Sequence, residues 1–526
     1  MKINLHKTFL FCLSFFFSQI LFSQVNQFQI TYGTSVADWN GAAIPTADGG
    51  YALMMDDVTN PLLRDMALIK LDSIGNILWT RTYGNTTNTD DSWNQIIEAY
   101  NGGYLIAGRL DNTPFNVFNI WIRTDSNGDT LWVKRDVIGQ GTLIKTSDFG
   151  YALVGSGLTK TDSVGNVQWS KIYTAVAGQP AYGQQTSDGG YIIAGVTQLY
   201  ASGGPSDWDL ALIKTDSAGN IQWTKVYERP TTLEKFPKVV QANDGGYVML
   251  GTSMIPPNQS QSQNIIIIKT DTAGNLQWAK TYDGPDSEES VDFKATGAIG
   301  YIIIGHTAGF ESVQNSFRSF LMRTDGLGNP VWTKMYGDVI NNPMNSYDIA
   351  ADVYYTNDGG FLMSGATQSF GVGAYDVWVV KTDASGVSGC NEINENPTIG
   401  IPTFTIGTGG YDSAVFYTSS PYTISVGTWQ PTKTILCLNG SLTGETENSE
   451  IGNDVLIYPN PFTDIVTITS QEKGEVEIYN VLGQEIFSKQ LTTNNCQLNL
   501  SSQPSGIYFV RIVTQEGIVS RKIVKE

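Results

Sequence analysis

An all-β fold is predicted, and three recurring features predict it. A Gly doublet followed by an aromatic runs from Gly49-Gly50-Tyr51 to Gly359-Gly360-Phe361. A basic-x-Asp step occurs seven times, from Lys70/Asp72 to Lys381/Asp383. In six of those copies, from Trp79 to Trp332, a Trp stands seven residues after that Asp. The copies are spaced about 54 residues apart, with one short copy of about 37, a period of propellers and solenoids.

Taken in order, residues 1–23 read as a secretory signal. Lys2, His6 and Lys7 form a basic head, 9–22 an apolar core, and Ser23 a small residue at its end. The core is short for a membrane span, and no other segment is apolar enough for one. Residues 25–390 follow as the repeat body. In one copy, strands over 183–186 and 191–196 flank the turn Ser187-Asp188-Gly189-Gly190. Strands over 210–215 and 221–227 flank Asp216–Asn220. Four strands per copy repeated radially predict a β-propeller, whose closure protects strand edges. The seventh copy stops at Ser385-Gly386 without its Trp strand. Phe28–Gly33 matches the missing strand ends, as Thr82-Tyr83-Gly84 does. The expected body is therefore a seven-bladed propeller closed by an N-terminal strand, with Ile30 beside Val379. The Trp residues are expected to pack between blades.

Composition narrows the functions. The net charge of −19 excludes a duplex nucleic-acid partner, since phosphate binding needs Lys and Arg. Only His6 and His306 occur, so multi-histidine zinc sites are excluded, and no metal site or cofactor is expected. His306 reads as a polar strand or loop residue. Asp125–Asp129 reads as turn chemistry; it lacks the downstream Glu of a calcium loop. Adjacent carboxylates such as Asp56/Asp57, Asp90/Asp91 and Glu288/Glu289 are poor catalytic dyads, because strand alternation separates neighbours. Cys390 and Cys437 bracket one segment and are expected to pair in an oxidising compartment, leaving Cys496 free.

Hairpin turns should occupy one face of the propeller and longer connections the other. On that variable face, Trp39, Asp91, Trp93, Phe115, Tyr200, Trp208 and Tyr375 are the candidate ligand-binding residues. Aromatics among carboxylates and amides would suit a glycan, a polymer or a partner protein. The main expectation is thus a binding protein without catalytic residues. The alternatives are a secreted carbohydrate-active enzyme with its site in the propeller mouth, or a structural surface protein.

Residues 391–447 break the repeat and read as a linker or small β capping segment, with a flexible joint over 440–453. Residues 453–526 alternate apolar strands with Gly/Pro turns, as a small Ig-like β-sandwich does. They open with Tyr458-Pro459-Asn460-Pro461, continue through Tyr479-Asn480-Val481-Leu482-Gly483-Gln484 and Gly506-Ile507-Tyr508, and end on Arg521, Lys522 and Lys525. This tail resembles the type A C-terminal sorting domain of type IX secretion substrates of Bacteroidota. The resemblance implies recognition by the type IX secretion translocon, removal of the tail, and release of the cargo or its attachment to surface lipopolysaccharide. It makes exposed Arg521, Lys522 and Lys525 the first candidates for recognition, and implies a secreted or outer-surface location. The Asp-x-x-Gly-Asn-x-x-Trp portion resembles the repeat of quinoprotein-like propellers over the turn and Trp only. That implies blade architecture and no redox cofactor.

Overall fold

The computed structural model describes residues 26–35, 38, 41–60, 63–84, 92–113, 116–135, 141–155, 157–174, 181–198, 208–229, 232–254, 263–284, 287–296, 300–307, 317–337, 347–394, 397–407, 412–414, 420–421, 425–427, 431–438, 441–442, 456–458, 462–469, 474–480, 485–491, 495–514 and 518–525. The segment 1–23 lies outside them. Among the described residues the structure is all-β, built of small antiparallel sheets.

Each repeat copy is one antiparallel meander. In the fourth, Tyr182–Gln185, Tyr191–Thr197, Asp209–Thr215 and Ile221–Glu228 pair in chain order. The recurring residues are the fastenings of this unit. Asp188 accepts hydrogen bonds from the Gly190 amide at 3.0 Å and the Thr186 hydroxyl at 2.5 Å. Gly189 has φ 82°, which favours glycine there. The buried Lys214 ammonium lies 2.8 Å from Asp188 and donates to the Thr215 carbonyl at 2.8 Å. Asp216 caps the second turn by accepting from the Ala218 and Asn220 amides at 2.9 and 2.8 Å. The basic-x-Asp step therefore ties two turns of one sheet together. In the second copy, Asp125 likewise accepts from the Asn127 and Asp129 amides, both at 2.9 Å.

A second set of residues joins neighbouring sheets. Trp223 packs on Gly274 in the next sheet, where an added Cβ would lie 2.8 Å from the indole ring. Four residues on, Tyr227 donates its hydroxyl to the Gly274 carbonyl at 2.8 Å. The same latch joins Tyr83 to Gly128, Tyr173 to Gly219, Tyr282 to Gly328 and Tyr336 to Gly386. At the other end of the chain, Tyr32 donates to the Gly75 carbonyl at 2.6 Å.

That last contact belongs to Phe28–Gly33, which pairs with Asp376–Thr382 and places Ile30 opposite Val379. The seventh repeat sheet thereby acquires the strand its own sequence lacks. Hydrophobic clusters link the sheets in sequence. One joins the first to the second through Ile44 and Ile106, and others continue to the sixth and seventh through Ile302 and Val380. The cluster of Phe28, Ile30, Val379, Leu53 and Ile69 joins the seventh back to the first. The arrangement is propeller-like. Both faces of each central strand are covered, which explains apolar runs such as Ile265–Ile268 where a half-exposed strand would alternate. Deleting residues 25–33 should expose the edge of Asp376–Thr382 and yield an aggregating protein by size-exclusion chromatography; a monomeric deletion with an unchanged melt would refute this role.

Residues 391–442 correct an expectation. Their described strands make no separate β unit; each joins one of the repeat sheets. Glu392–Asn394 adds a fifth strand to the sixth sheet. Thr398–Gly400, Thr405–Gly407, Asp412–Ala414, Ser420–Pro421 and Ser425–Gly427 then add one strand each to the fifth, fourth, third, second and first sheets. Thr432–Leu438 pairs with Phe28–Gly33 in the seventh. The chain thus runs once round the body in reverse order as a belt. At about 3.3 Å per residue, a seven-residue step spans about 23 Å, enough to pass from one outer strand to the next. Cys390 and Cys437, at the two ends of the belt, are joined as a disulfide with Cα atoms 6.1 Å apart. Cys496 is a buried free thiol.

In the tail, Leu456–Tyr458, Ile465–Thr469 and Asn495–Asn499 form one sheet. Gly474–Asn480, Glu485–Leu491, Gly506–Thr514 and Ile518–Lys525 form another. Val466, Ile468, Val476, Ile478, Leu498, Val510 and Ile512 make a common core.

Candidate functional site

The first strand of each repeat sheet lines one central cavity of about 610 Å³, with Ala42, Gln95, Leu143, Tyr182, Lys238, Asp292 and Asp352 on its wall. Apolar and small residues come from some strands; others are re-aimed by β-bulges. The ladder slips between Trp93 and Gln95, Lys235 and Lys238, Ser290 and Asp292, and Ala350 and Asp352. In each case the residue after the bulge is polar and lines the cavity. An extra residue reverses which side chain points inward, so the bulge puts a polar group where alternation would put an apolar one. Phe236, inside one bulge, has φ 52° and is 44% exposed. A non-glycine residue in this region is strained, and such strain gathers at functional sites.

The polar groups form a charged cluster. Asp292 is ion-paired with Lys294, lies 3.7 Å from the Lys238 ammonium, and accepts from the Val353 amide at 3.4 Å. Burial alone would raise the Asp292 carboxyl, but the two ammonium groups hold it below the usual range. Asp352 is pushed up to about 6, first by burial and then by the charge of Asp292. Burial opposes the charge on Lys238, yet Asp292 overrides it and raises the ammonium. Lys238 also sits 4.0 Å above the Tyr182 ring, and Lys294 5.1 Å from that of Tyr354. Elsewhere on the wall, His306 Nε2 lies 3.5 Å from the Glu289 carboxylate. Its neighbour Glu288 points away from the cavity and accepts from the Gly284 amide at 2.9 Å.

None of the candidate ligand-binding residues singled out in the sequence is among those described on this wall. Trp39, Asp91, Phe115 and Tyr200 lie outside the described residues. Trp93 pairs with Gly108 in the ladder, and its side chain is outside the described set. Trp208 is half-buried against the core shared by the fourth and fifth sheets, and Tyr375 is buried. Neither lines the central cavity. Gln95, Lys238, Asp292, Lys294 and Asp352 were missed. The available signal was strand length: Glu288–Ala295 and Asp348–Tyr355 have eight residues, Gly41–Pro45 five.

In the tail, Tyr458 and Lys522 lie in strands, with side chains outside the described set, as is that of Arg521; Pro459, Asn460, Pro461 and Gly483 lie outside the described residues altogether. Lys525 corrects an expectation. It is buried, and its ammonium donates to the Ser501 and Gln503 carbonyls at 3.2 and 2.7 Å. It fastens a loop and is not an exposed recognition charge.

Residues 456–526 match the model of the secretion system C-terminal sorting domain. The tail is thus a sorting domain of the type IX kind, and the chain is exported to the outer cell surface or beyond it. Among the described residues, no helix is long and apolar enough to cross a membrane. No curated protein matches the chain. Among solved structures, a protein of unknown function from Dyadobacter fermentans is similar at 8% identity and a TM-score of 0.38, covering 68% of this chain and 97% of its own. A xylan beta-1,4-xylosidase from Bacillus halodurans is similar at 8% identity and a TM-score of 0.25, covering 72% of this chain and 99% of its own.

Proposed function

We propose that the chain is an exported seven-bladed β-propeller that binds a ligand in its central cavity, carried outward by an Ig-like sorting sandwich. The seven repeat sheets, the Tyr32 latch onto Gly75 and the cluster joining seventh to first sheet support the propeller. In this reading 1–23 is the signal peptide, 25–390 with the belt is the binding body, and 453–526 is the address. The type IX translocon would read that address, and surface lipopolysaccharide would be the anchor if the mature chain is retained.

One observation carries the binding reading: four bulged strands aim polar side chains into the same cavity. A folded core has no need of two carboxyls and two ammonium groups there, and burying them is costly. A secreted carbohydrate-active enzyme is the second reading. It draws on Asp292 and Asp352, carboxyls from two different sheets whose proton affinities are driven apart.

Two measurements test the proposal. A chain ending at residue 447 should remain inside the cell; its appearance in the medium or on the surface would refute the sorting role. The full chain should retain ligands on glycan and peptide arrays, and Lys238→Met should lose them. Release of reducing sugar by the wild type, abolished in Asp352→Asn, would move the assignment to the enzyme.

A further inference from the structure

The cavity's unfilled bonding capacity describes what fits it. Asp292 is well supplied, with two ammonium groups and a backbone amide. Among the described residues, the three donors of the Lys238 ammonium meet Asp292 only at a long 3.7 Å, and the ammonium lies over the Tyr182 ring face. Asp352 lines the same cavity, within reach of the charges of Asp292, Lys238 and Lys294. The wall therefore offers an acidic acceptor and a cationic donor close together, with the Phe236 ring exposed nearby.

Resting on the cavity-binding reading above, we infer that the ligand is a neutral polyhydroxylated molecule of mono- or disaccharide size. Charge argues for neutrality. Both signs line the wall, so a free anion would meet Asp292, Asp352 and Glu289, and a free cation would meet Lys238 and Lys294. A hydroxyl both donates and accepts. Adjacent hydroxyls of one sugar ring can therefore donate to Asp352 and accept from Lys238 together, leaving the Asp292 pairings intact. The apolar face of the ring would lie on Phe236, held outward by its left-handed backbone. The volume of about 610 Å³ falls within the range of small-molecule pockets, about 300–1,000 Å³.

The test is calorimetric titration of the full chain with neutral mono- and disaccharides, free amino acids, sugar acids and inorganic phosphate. At least one neutral sugar should bind, tenfold or more weaker in Lys238→Met and in Asp352→Asn, and within a few-fold in Lys238→Arg. If Lys238→Met does not fold, Asp352→Asn carries the test alone, because the amide replaces the carboxyl at constant size. Binding of amino acids or anions in place of sugars, with the same dependence on Lys238 and Asp352, would overturn the ligand class and leave the cavity reading standing. Binding that ignores both residues, or no binding across the panel, would overturn both.

Discussion

Replacing Cys390 and Cys437 together by Ser should cost about 4 kcal/mol of stability, read as a lower urea midpoint. The disulfide closes a loop with a sequence separation of 47. In the chain-entropy account a loop of that length is worth about 4 kcal/mol. The structure gives a local reason to expect the loss. The belt strands from Glu392–Asn394 to Ser425–Gly427 have two or three residues each. Each ladder supplies only a few hydrogen bonds, worth about 1 kcal/mol apiece net, against the entropy of ordering the chain between them. Tied at both ends, the belt is a closed hoop; cut, each strand can peel separately. The Gln29 side chain, on the closing N-terminal strand, donates to the Ser388 hydroxyl at 2.8 Å and to the Cys390 carbonyl. Opening the hoop therefore loosens the hold of the belt's first end on Phe28–Gly33. Amide exchange should accelerate first at 392–427 and next at Phe28–Gly33. An unchanged midpoint, with exchange in the belt unaltered, would show that the belt holds without its clasp.

The body was legible in the sequence because its constraints repeat. A Gly-containing turn, a Lys or Arg two residues before an Asp and, in six copies, a Trp that covers the next sheet's Gly answer the same physical problem in copy after copy. The residues recur at fixed offsets for that reason, and even the absent seventh Trp strand left a visible gap. The belt has no such redundancy. Its strands are too short for alternation to register, and their partners lie far away in sequence. Thr398-Ile399-Gly400 and Thr405-Ile406-Gly407 hint at a step of seven. Gly400 is required because a Cβ there would come within 2.3 Å of the Thr281 hydroxyl, a clash visible only once the pairing is known. The cavity cluster was hidden for a related reason. Alternation places Asp292 and Asp352 from a register, and the bulges before them shift that register by one. Side chains expected at a loop-borne mouth, such as Tyr375, prove to be core.

Stability should fall as pH rises from about 5 to 8, and Glu234→Gln should flatten that slope. Glu234 is fully buried at the start of Leu233–Gln241. Its Oε1 accepts from the Thr232 and Ser253 hydroxyls at 2.6 and 3.3 Å, and its Oε2 has no partner among the described residues. Burial pushes the carboxyl up to about 8; the Thr232 bond opposes this and the Asp209 charge adds to it. Between the unfolded value, about 4.3, and the folded one, the native state holds a proton that the unfolded chain has released. Unfolding then becomes easier by up to about 1.4 kcal/mol per pH unit, a few kcal/mol in total. Above pH 8 both states are ionised and this contribution levels off. The Gln variant cannot ionise, so its urea midpoint should exceed that of the wild type at pH 8 and change less between pH 5 and 8. Parallel profiles would show that Glu234 is ionised in the native state at neutral pH. The position ties this proton to the site. The Glu234 amide donates to the Trp208 carbonyl at 2.9 Å, and the same strand carries Phe236 and Lys238 into the cavity. Charging Glu234 should disturb the strand that presents both, so ligand affinity in the wild type should weaken above pH 8 more than in Glu234→Gln.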